Sequence, residues 1–160
     1  MDLRRVPAAL GGLHAITGQG VSTIDRLTPE KRSWIMSRIK GKDTRPEIAL
    51  RSLLHRAGFR FRIHSRTLAG RPDIVLPKYK TVVFLHGCFW HRHEECKYAY
   101  TPKSRQEFWL EKFSETVKRD KLKKAELQSM GWQVLTVWEC ELSAAPAVTL
   151  EGIISKLPQG

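Results

Sequence analysis

Apolar and polar residues alternate along this chain with two periods, one near 3.6 and one of 2, separated by Gly- and Pro-rich punctuation. Residues 1 to about 27 follow neither period. They are rich in Gly and interrupted by Pro7, Gly11, Gly12 and His14, and read as a loose N-terminal extension. A single domain is expected over residues 28–160. "TPEKRSWIMSRIKGKD" predicts a short basic helix, with Thr28 as cap, Pro29 in the first turn, Trp34, Met36 and Ile39 among basic residues, and a stop at Gly41. "TRPEIALRSLLHRAG" predicts a second helix. Thr44 is its cap, Pro46 lies in its first turn and Glu47 stands three residues after the cap; Ile48, Leu50, Leu53, Leu54 and Ala57 make an apolar face, and Gly58 ends it.

The period then changes to 2. "FRFRIH" (59–64), "DIVL" (73–76) and "TVVFLH" (81–86) read as strands, the last two joined by a hairpin through Pro77 to Lys80. "SRQEFWLEKFSETVKRDKLKKAELQSMG" returns to helical spacing, with Ser104 and Glu107 in a capping-box pattern and Gly131 at its end. "WQVLTVWEC" (132–140) reads as a buried strand. The order helix, helix, three strands, helix, strand predicts an α/β (α+β) domain with a mixed central sheet flanked by helices.

Composition narrows the function. At 160 residues and 41% hydrophobic, the chain supports one ordinary core. It has no apolar run of membrane-spanning length and no hydrophobic signal core near its start, so a cytoplasmic protein is the expectation. Three cysteines, Cys88, Cys96 and Cys140, are an odd number, which suits metal ligation or a buried thiol better than a disulfide framework. Lys plus Arg outnumber Asp plus Glu by 28 to 16, a formal charge of +12. In so small a domain this points to a polyanionic partner, nucleic acid first. An anionic membrane is the weaker reading, because no basic amphipathic helix stands alone at a terminus.

The densest chemistry lies in "HGCFWHRHEEC", residues 86–96. Cys88, His93 and Cys96 are spaced C-x4-H-x2-C, and Cys140 ends a predicted strand that can lie beside this loop. A Cys3His set suits structural Zn2+, with His91 and Glu95 as rival ligands, while a buried strand cysteine is the plain alternative for Cys140. "GRPDIVLP" places Asp73 at the head of a strand, where metal-dependent nucleases of the PD-(D/E)xK type present a Mg2+ ligand. Only half of that pattern is present, since Phe84-Leu85-His86 stands where acid-x-lysine is expected. Turn chemistry is the commoner reason for Pro-Asp ahead of a strand.

Taken together, "GRPDIVL", "HGCFWHRHEEC", "EFWLEK" and "GWQVLTVWEC", in this order over roughly residues 30–142, closely resemble the very short patch repair (Vsr) DNA mismatch endonucleases. The resemblance implies a restriction-endonuclease-like fold with a structural zinc and a Mg2+-dependent activity. It implies nicking of one strand of double-stranded DNA, 5′ to the thymine of a T:G mismatch left by 5-methylcytosine deamination, with 5′-phosphate and 3′-hydroxyl ends. A bacterial, cytoplasmic, nucleoid-associated monomer is implied too, coupled to a cytosine-5 DNA methyltransferase and a downstream repair polymerase. Two rivals stand beside this: a restriction-like nuclease with another DNA target, and a non-catalytic zinc-stabilised DNA-binding module.

Carried over residue by residue, the resemblance makes Asp73 the principal Mg2+ ligand, puts Cys88, His93, Cys96 and Cys140 on zinc, and makes His86 and His91 catalytic. Leu85 stands where some family members have Thr, and a Mg2+ contact through its backbone carbonyl asks nothing of the side chain. Glu47 matches an acidic residue of the family yet equally fits the Thr44 capping box. Asp120 shares a helical face with Phe113 and Val117, where a carboxylate needs a partner; His86 is the expected one, and the flanking Lys118, Arg119 and Lys121 make a surface role the alternative. By the same resemblance Phe89, Trp90 and Trp109 wedge into the base stack from one groove, with Met36 and Ile39 approaching from the other. Trp132 and Trp138 are expected to be ordinary core, and Arg38, Lys40, Lys42 and Arg71 to meet phosphates.

Overall fold

The computed structural model describes residues 28–38 and 41–158. The predicted extension over residues 1–27, together with Ile39 and Lys40, lies outside the described residues, as does the side chain of Met36. Helix α1 (Pro29–Ser37) begins where Thr28 Oγ1 accepts the Lys31 N–H at 3.2 Å. Helix α2 (Arg45–Arg56) has the expected cap. Thr44 is extended, its Oγ1 accepts the Glu47 N–H at 3.4 Å, and its hydroxyl donates to Glu47 Oε1 at 2.8 Å. The helix ends in a Schellman turn at Gly58, whose φ of 86° no side chain favours; Gly58 N–H reaches the His55 carbonyl and Phe59 N–H the Leu54 carbonyl.

The sheet has three strands in the order β1 (Ile74–Leu76), β2 (Thr81–His86), β3 (Gln133–Trp138). β1 runs antiparallel to β2 through a short 3-10 turn over Pro77–Tyr79, as the hairpin spacing predicted. β2 and β3 are parallel, with His86 opposite Trp138. Between them the chain makes one turn of helix, α3 (Cys88–His91), and the long α4 (Gln106–Ser129). Two further helices, α5 (Glu139–Ala144) and α6 (Pro146–Ile154), close the domain. This is the mixed α+β arrangement predicted.

Strand parity divides the interior in two. Ile74, Leu76, Val83 and Val137 point to the side where Leu50 and Leu54 of α2, Leu142 of α5, and Ile153 and Leu157 complete the larger cluster. Val75 and Val82 point to the other side, onto Leu127 of α4, with Phe84, Trp132 and Val134 beside them. Helices thus cover both faces. The start of β2 is buried, while Phe84, Leu85 and His86 at its end are only partly so. By the same parity, His86 leaves the sheet on the α4 side.

Four predicted details differ. The 59–64 segment makes a single antiparallel bridge, Arg62 to Val75, instead of a strand. β1 is three residues long and offers little edge to pair with, and His64 turns the chain at a φ of 51°. Ser104 does not cap α4; Arg105 precedes the helix in the left-handed region with no side-chain cap. β3 stops at Trp138, so Cys140 lies in the first turn of α5 and not at a strand end. Finally α3, α5 and α6 were not foreseen.

Candidate active site and metal centre

The tight turn after β2 builds a candidate metal centre. Gly87 leads into α3, Arg92 reverses the chain at a φ of 56°, and His93 N–H then bonds the Cys88 carbonyl at 3.1 Å. This returns His93 Nδ1 to 3.7 Å from Cys88 Sγ and 3.2 Å from Cys140 Sγ, while Cys96 Sγ lies 3.8 Å from Cys140 Sγ. All four ligand atoms fall within 4.8 Å of one another. Bond lengths of about 2.3 Å to sulfur and about 2.0 Å to nitrogen give a zinc tetrahedron edges of about 3.8 Å between sulfurs and about 3.5 Å between sulfur and nitrogen. The three separations lie within about 0.4 Å of these edges, so the four side chains suit such an ion. Burial pushes the Cys88 thiol up to about 12, so this sulfur becomes a thiolate only when a cation takes the place of its proton. His91 and Glu95, the rival ligands, are not in the set.

Beside this centre, on the α4 side of the sheet, opens a cleft of about 880 Å³. Glu47, Asp73, Leu85, His86, Trp90, His91 and Asp120 all line it. Asp73 sits in the bend just before β1, and its Oδ2 accepts the Leu85 N–H of β2 at 2.7 Å. Burial raises the Asp73 pKa, a tendency the Leu85 N–H opposes and the neighbouring charge of Glu47 reinforces. A partly desolvated carboxylate in such surroundings is short of positive charge. An oxygen donor set with that deficit suits a hard divalent cation.

Glu47 meets both of its sequence readings. Its carboxylate takes the Thr44 hydroxyl, the Asp43 N–H at 2.9 Å and the Arg51 guanidinium at 2.8 Å, yet the residue also borders the cleft.

Asp120 pairs with His91 and not with His86, which corrects the expected partner. Asp120 Oδ2 lies 2.6 Å from His91 Nδ1. The reason is reach: α3 turns the His91 ring back over His86, so that the imidazoles stack at 3.8 Å with planes 11° apart and His91 lies nearest α4. Lone pairs lie in the ring planes, so two parallel rings do not converge on one ion. Although His86, His91 and Asp120 lie close enough to hold a metal, their geometry is that of a histidine–carboxylate dyad with a second imidazole stacked on it. Burial first, and the neighbouring His91 second, hold the His86 pKa down to about 4.

Phe89 is the hub of an aromatic group. Its ring lies 5.1 Å from Trp90, 5.5 Å from Trp109 and 5.1 Å from the buried Phe113 of α4. The three residues expected to form a wedge are thus together, tied to α4 by the same contacts. Arg71, exposed at a φ of 52°, borders the cleft with Arg119, Lys121, Lys123 and Lys124. Arg38 and Lys42 are exposed.

Three contributors were missed in the sequence. Trp138, expected to be plain core, stacks on His93 at 4.2 Å and meets His86 edge-on at 5.4 Å, so one indole touches both the metal centre and the histidine pair. Lys121, Lys123 and Lys124 follow Asp120 directly, and their charge run was the available signal. Arg51 lies in the apolar pattern of α2, where nothing but its charge marked it.

Comparison with known proteins is consistent in direction. A family model described as DNA mismatch endonuclease Vsr matches residues 24–97. The type II nicking enzyme V.XorIIP of Xanthomonas oryzae pv. oryzae is 50% identical, over 74% of this chain and 87% of that protein. The DNA mismatch endonuclease Vsr of Escherichia coli is 44% identical, over 80% of this chain and 81% of that protein. Among solved structures, the catalytic domain of homing endonuclease I-Bth0305I aligns with a TM-score of 0.47 and 22% identity, over 69% of this chain and 91% of that one.

Proposed function

Since the chain belongs to the Vsr family of DNA mismatch endonucleases, we propose that it nicks one strand of duplex DNA 5′ to the thymine of a T:G mismatch. The observation that carries this reading is the meeting of Asp73, the stacked His86 and His91, and Asp120 in one cleft rimmed by basic side chains. A module that only bound DNA would need the basic rim but not the dyad.

The chemistry follows from the hydrogen-bond geometry. In the neutral imidazole the Asp120 carboxylate accepts the Nδ1 proton of His91, and Nε2 is then able to take a proton from the attacking water. As the imidazolium forms, the carboxylate 2.6 Å away stabilises it. His86, held neutral, donates a hydrogen bond to a phosphate oxygen without adding a second positive charge against His91. Asp73, Glu47 and the backbone carbonyl of Leu85 offer oxygen donors for Mg2+, which when bound supplies positive charge against the phosphate as the leaving oxygen departs. Arg71 and the cleft lysines steer and hold the backbone. Cys88, His93, Cys96 and Cys140 would hold Zn2+, which when bound would brace the α3 loop. Phe89, Trp90 and Trp109 then enter the stack at the weakened pair, with Met36 and Ile39 serving the opposite groove.

The 3′-hydroxyl left by this cut is a primer terminus for a repair polymerase. The substrate itself arises where a cytosine-5 methyltransferase has acted, on DNA of the bacterial nucleoid. The test is direct. Purified protein with Mg2+ should nick a T:G duplex and leave the matched T:A duplex whole, and Asp73→Ala should lower the rate by about 10³-fold or more while gel-shift binding persists. A wild-type protein that binds the mismatch and leaves it uncut would sink the nuclease reading.

A further inference from the structure

Arg51 is an expensive residue for its position. It lies on α2 between Leu50, which is fully buried, and the exposed Ser52, and its own side chain is 12% exposed. Its Nε is the buried side-chain nitrogen or oxygen that, among the described residues, has no hydrogen-bond partner. Burying a guanidinium with one N–H unsatisfied costs stability that an apolar side chain at the same site would not lose.

What the guanidinium gains is two carboxylates at once. Nη1 lies 2.6 Å from Asp43 Oδ1 and Nη2 lies 2.8 Å from Glu47 Oε2. Asp43 closes the loop: its backbone N–H donates to the same Glu47 oxygen at 2.9 Å, and its side chain also meets His64 Nε2 at 3.0 Å. Both Asp43 and His64 are held in the left-handed region, with φ of 53° and 51°. One fork therefore fixes the loop ahead of α2, the carboxylate of Glu47 and, through Asp43, the bend that follows the Arg62 bridge to β1. Arg51 itself does not line the cleft, whereas Glu47 does.

We propose that Arg51 is a positioning residue for the cut, whose guanidinium, paired simultaneously with Asp43 and Glu47, holds the Glu47 carboxylate facing the cleft beside Asp73. The assignment rests on the reading of Asp73 and Glu47 as cation donors. It also makes a prediction that simple electrostatics does not. A nearby positive charge repels a divalent cation, so removing a guanidinium that acted only as charge would tighten Mg2+ binding. Removing one that aligns Glu47 weakens it.

Three measurements on the full chain test this: single-turnover nicking of a T:G duplex, the Mg2+ concentration for half-maximal rate, and duplex affinity by fluorescence anisotropy without Mg2+. Arg51→Met is expected to nick about tenfold more slowly and to need severalfold more Mg2+, with affinity close to that of the wild type and a lowered thermal midpoint. Arg51→Lys, whose single ammonium reaches one carboxylate in place of two, should fall between. Nicking by Arg51→Met within about twofold of the wild type, or a lowered Mg2+ requirement, overturns the assignment. Should Arg51→Met fail to fold, Asp43→Asn removes half of the clamp from an exposed residue; a severalfold slower cut supports the assignment and a wild-type rate overturns it. Asp73→Ala separates the two levels. If it still nicks, the reading of the site fails and this assignment with it; if it is inactive while Arg51→Met is fully active, only the role of Arg51 fails.

Discussion

At the scale of single residues, the decisive choice is which nitrogen of His91 carries the proton. A carboxylate 2.6 Å from Nδ1 only accepts, so in a neutral imidazole the proton stands on Nδ1 and Nε2 is left free. Asp120→Asn keeps the shape but lets the amide donate to Nδ1, which moves the proton to Nε2 and removes the base. The expected result is a loss of about 10²- to 10⁴-fold in single-turnover rate with DNA affinity unchanged, and an undiminished rate would take His91 out of proton transfer. His86 gives a second test, through pH. Its pKa is held at about 4 in the fold against the usual 6.5. Between those values the unfolded chain binds the extra proton, so stability present above pH 6.5 is lost as pH falls and levels off below about 4. This one group should cost about 2 kcal/mol between pH 7 and pH 5, a drop measurable in urea titrations and smaller by that amount in His86→Asn.

At the scale of elements, legibility depended on whether a segment carried its own period and its own stops. The helices α2 and α4 did: Gly58 and Gly131 end them through the same Schellman turn, and the long helix runs without a break. The alternation in residues 59–64 does set Phe59 and Phe61 against the core, but it overstates pairing because the neighbouring strand is short. A four-residue helix such as α3 has no period to show. Its geometry comes from the residues that a metal would draw together, and that is where the elements depend on one another: Cys88 and Cys96 belong to the α3 loop and Cys140 to α5. Stripping the metal with a chelator, or Cys96→Ser, should release this tie. A loss of even ~5 kcal/mol, below the full binding energy of a structural zinc, lowers the thermal midpoint of a domain this size by about 10–20 °C. Calorimetry checks the shift, and a dye assay for about one released zinc per chain checks the ion; an unchanged midpoint after complete removal would deny the ion a structural part.

At the scale of the whole molecule, charge and motif pointed to DNA, but the wiring of the cleft came only from three dimensions. Asp73, His91, Asp120 and Trp138 meet although the chain between them runs through three strands and the helices α3 and α4, and no local pattern says which imidazole stands nearer α4. The same holds for Arg51, whose partners lie on a loop and on its own helix at once.

That wiring bears on how the protein is made. The stretch from Asp73 to Cys96 carries nearly all the recognisable chemistry, yet the partner of His91 arrives on α4, the strand that pairs with β2 arrives after it, and the last sulfur of the metal centre comes only with α5. A chain growing from the ribosome thus carries His86 and His91 well before the elements that orient them. The finished cleft appears only once the final third has emerged. On the proposed reading, a copy that ends before α4 lacks the carboxylate that orients His91 and should leave a T:G duplex uncut.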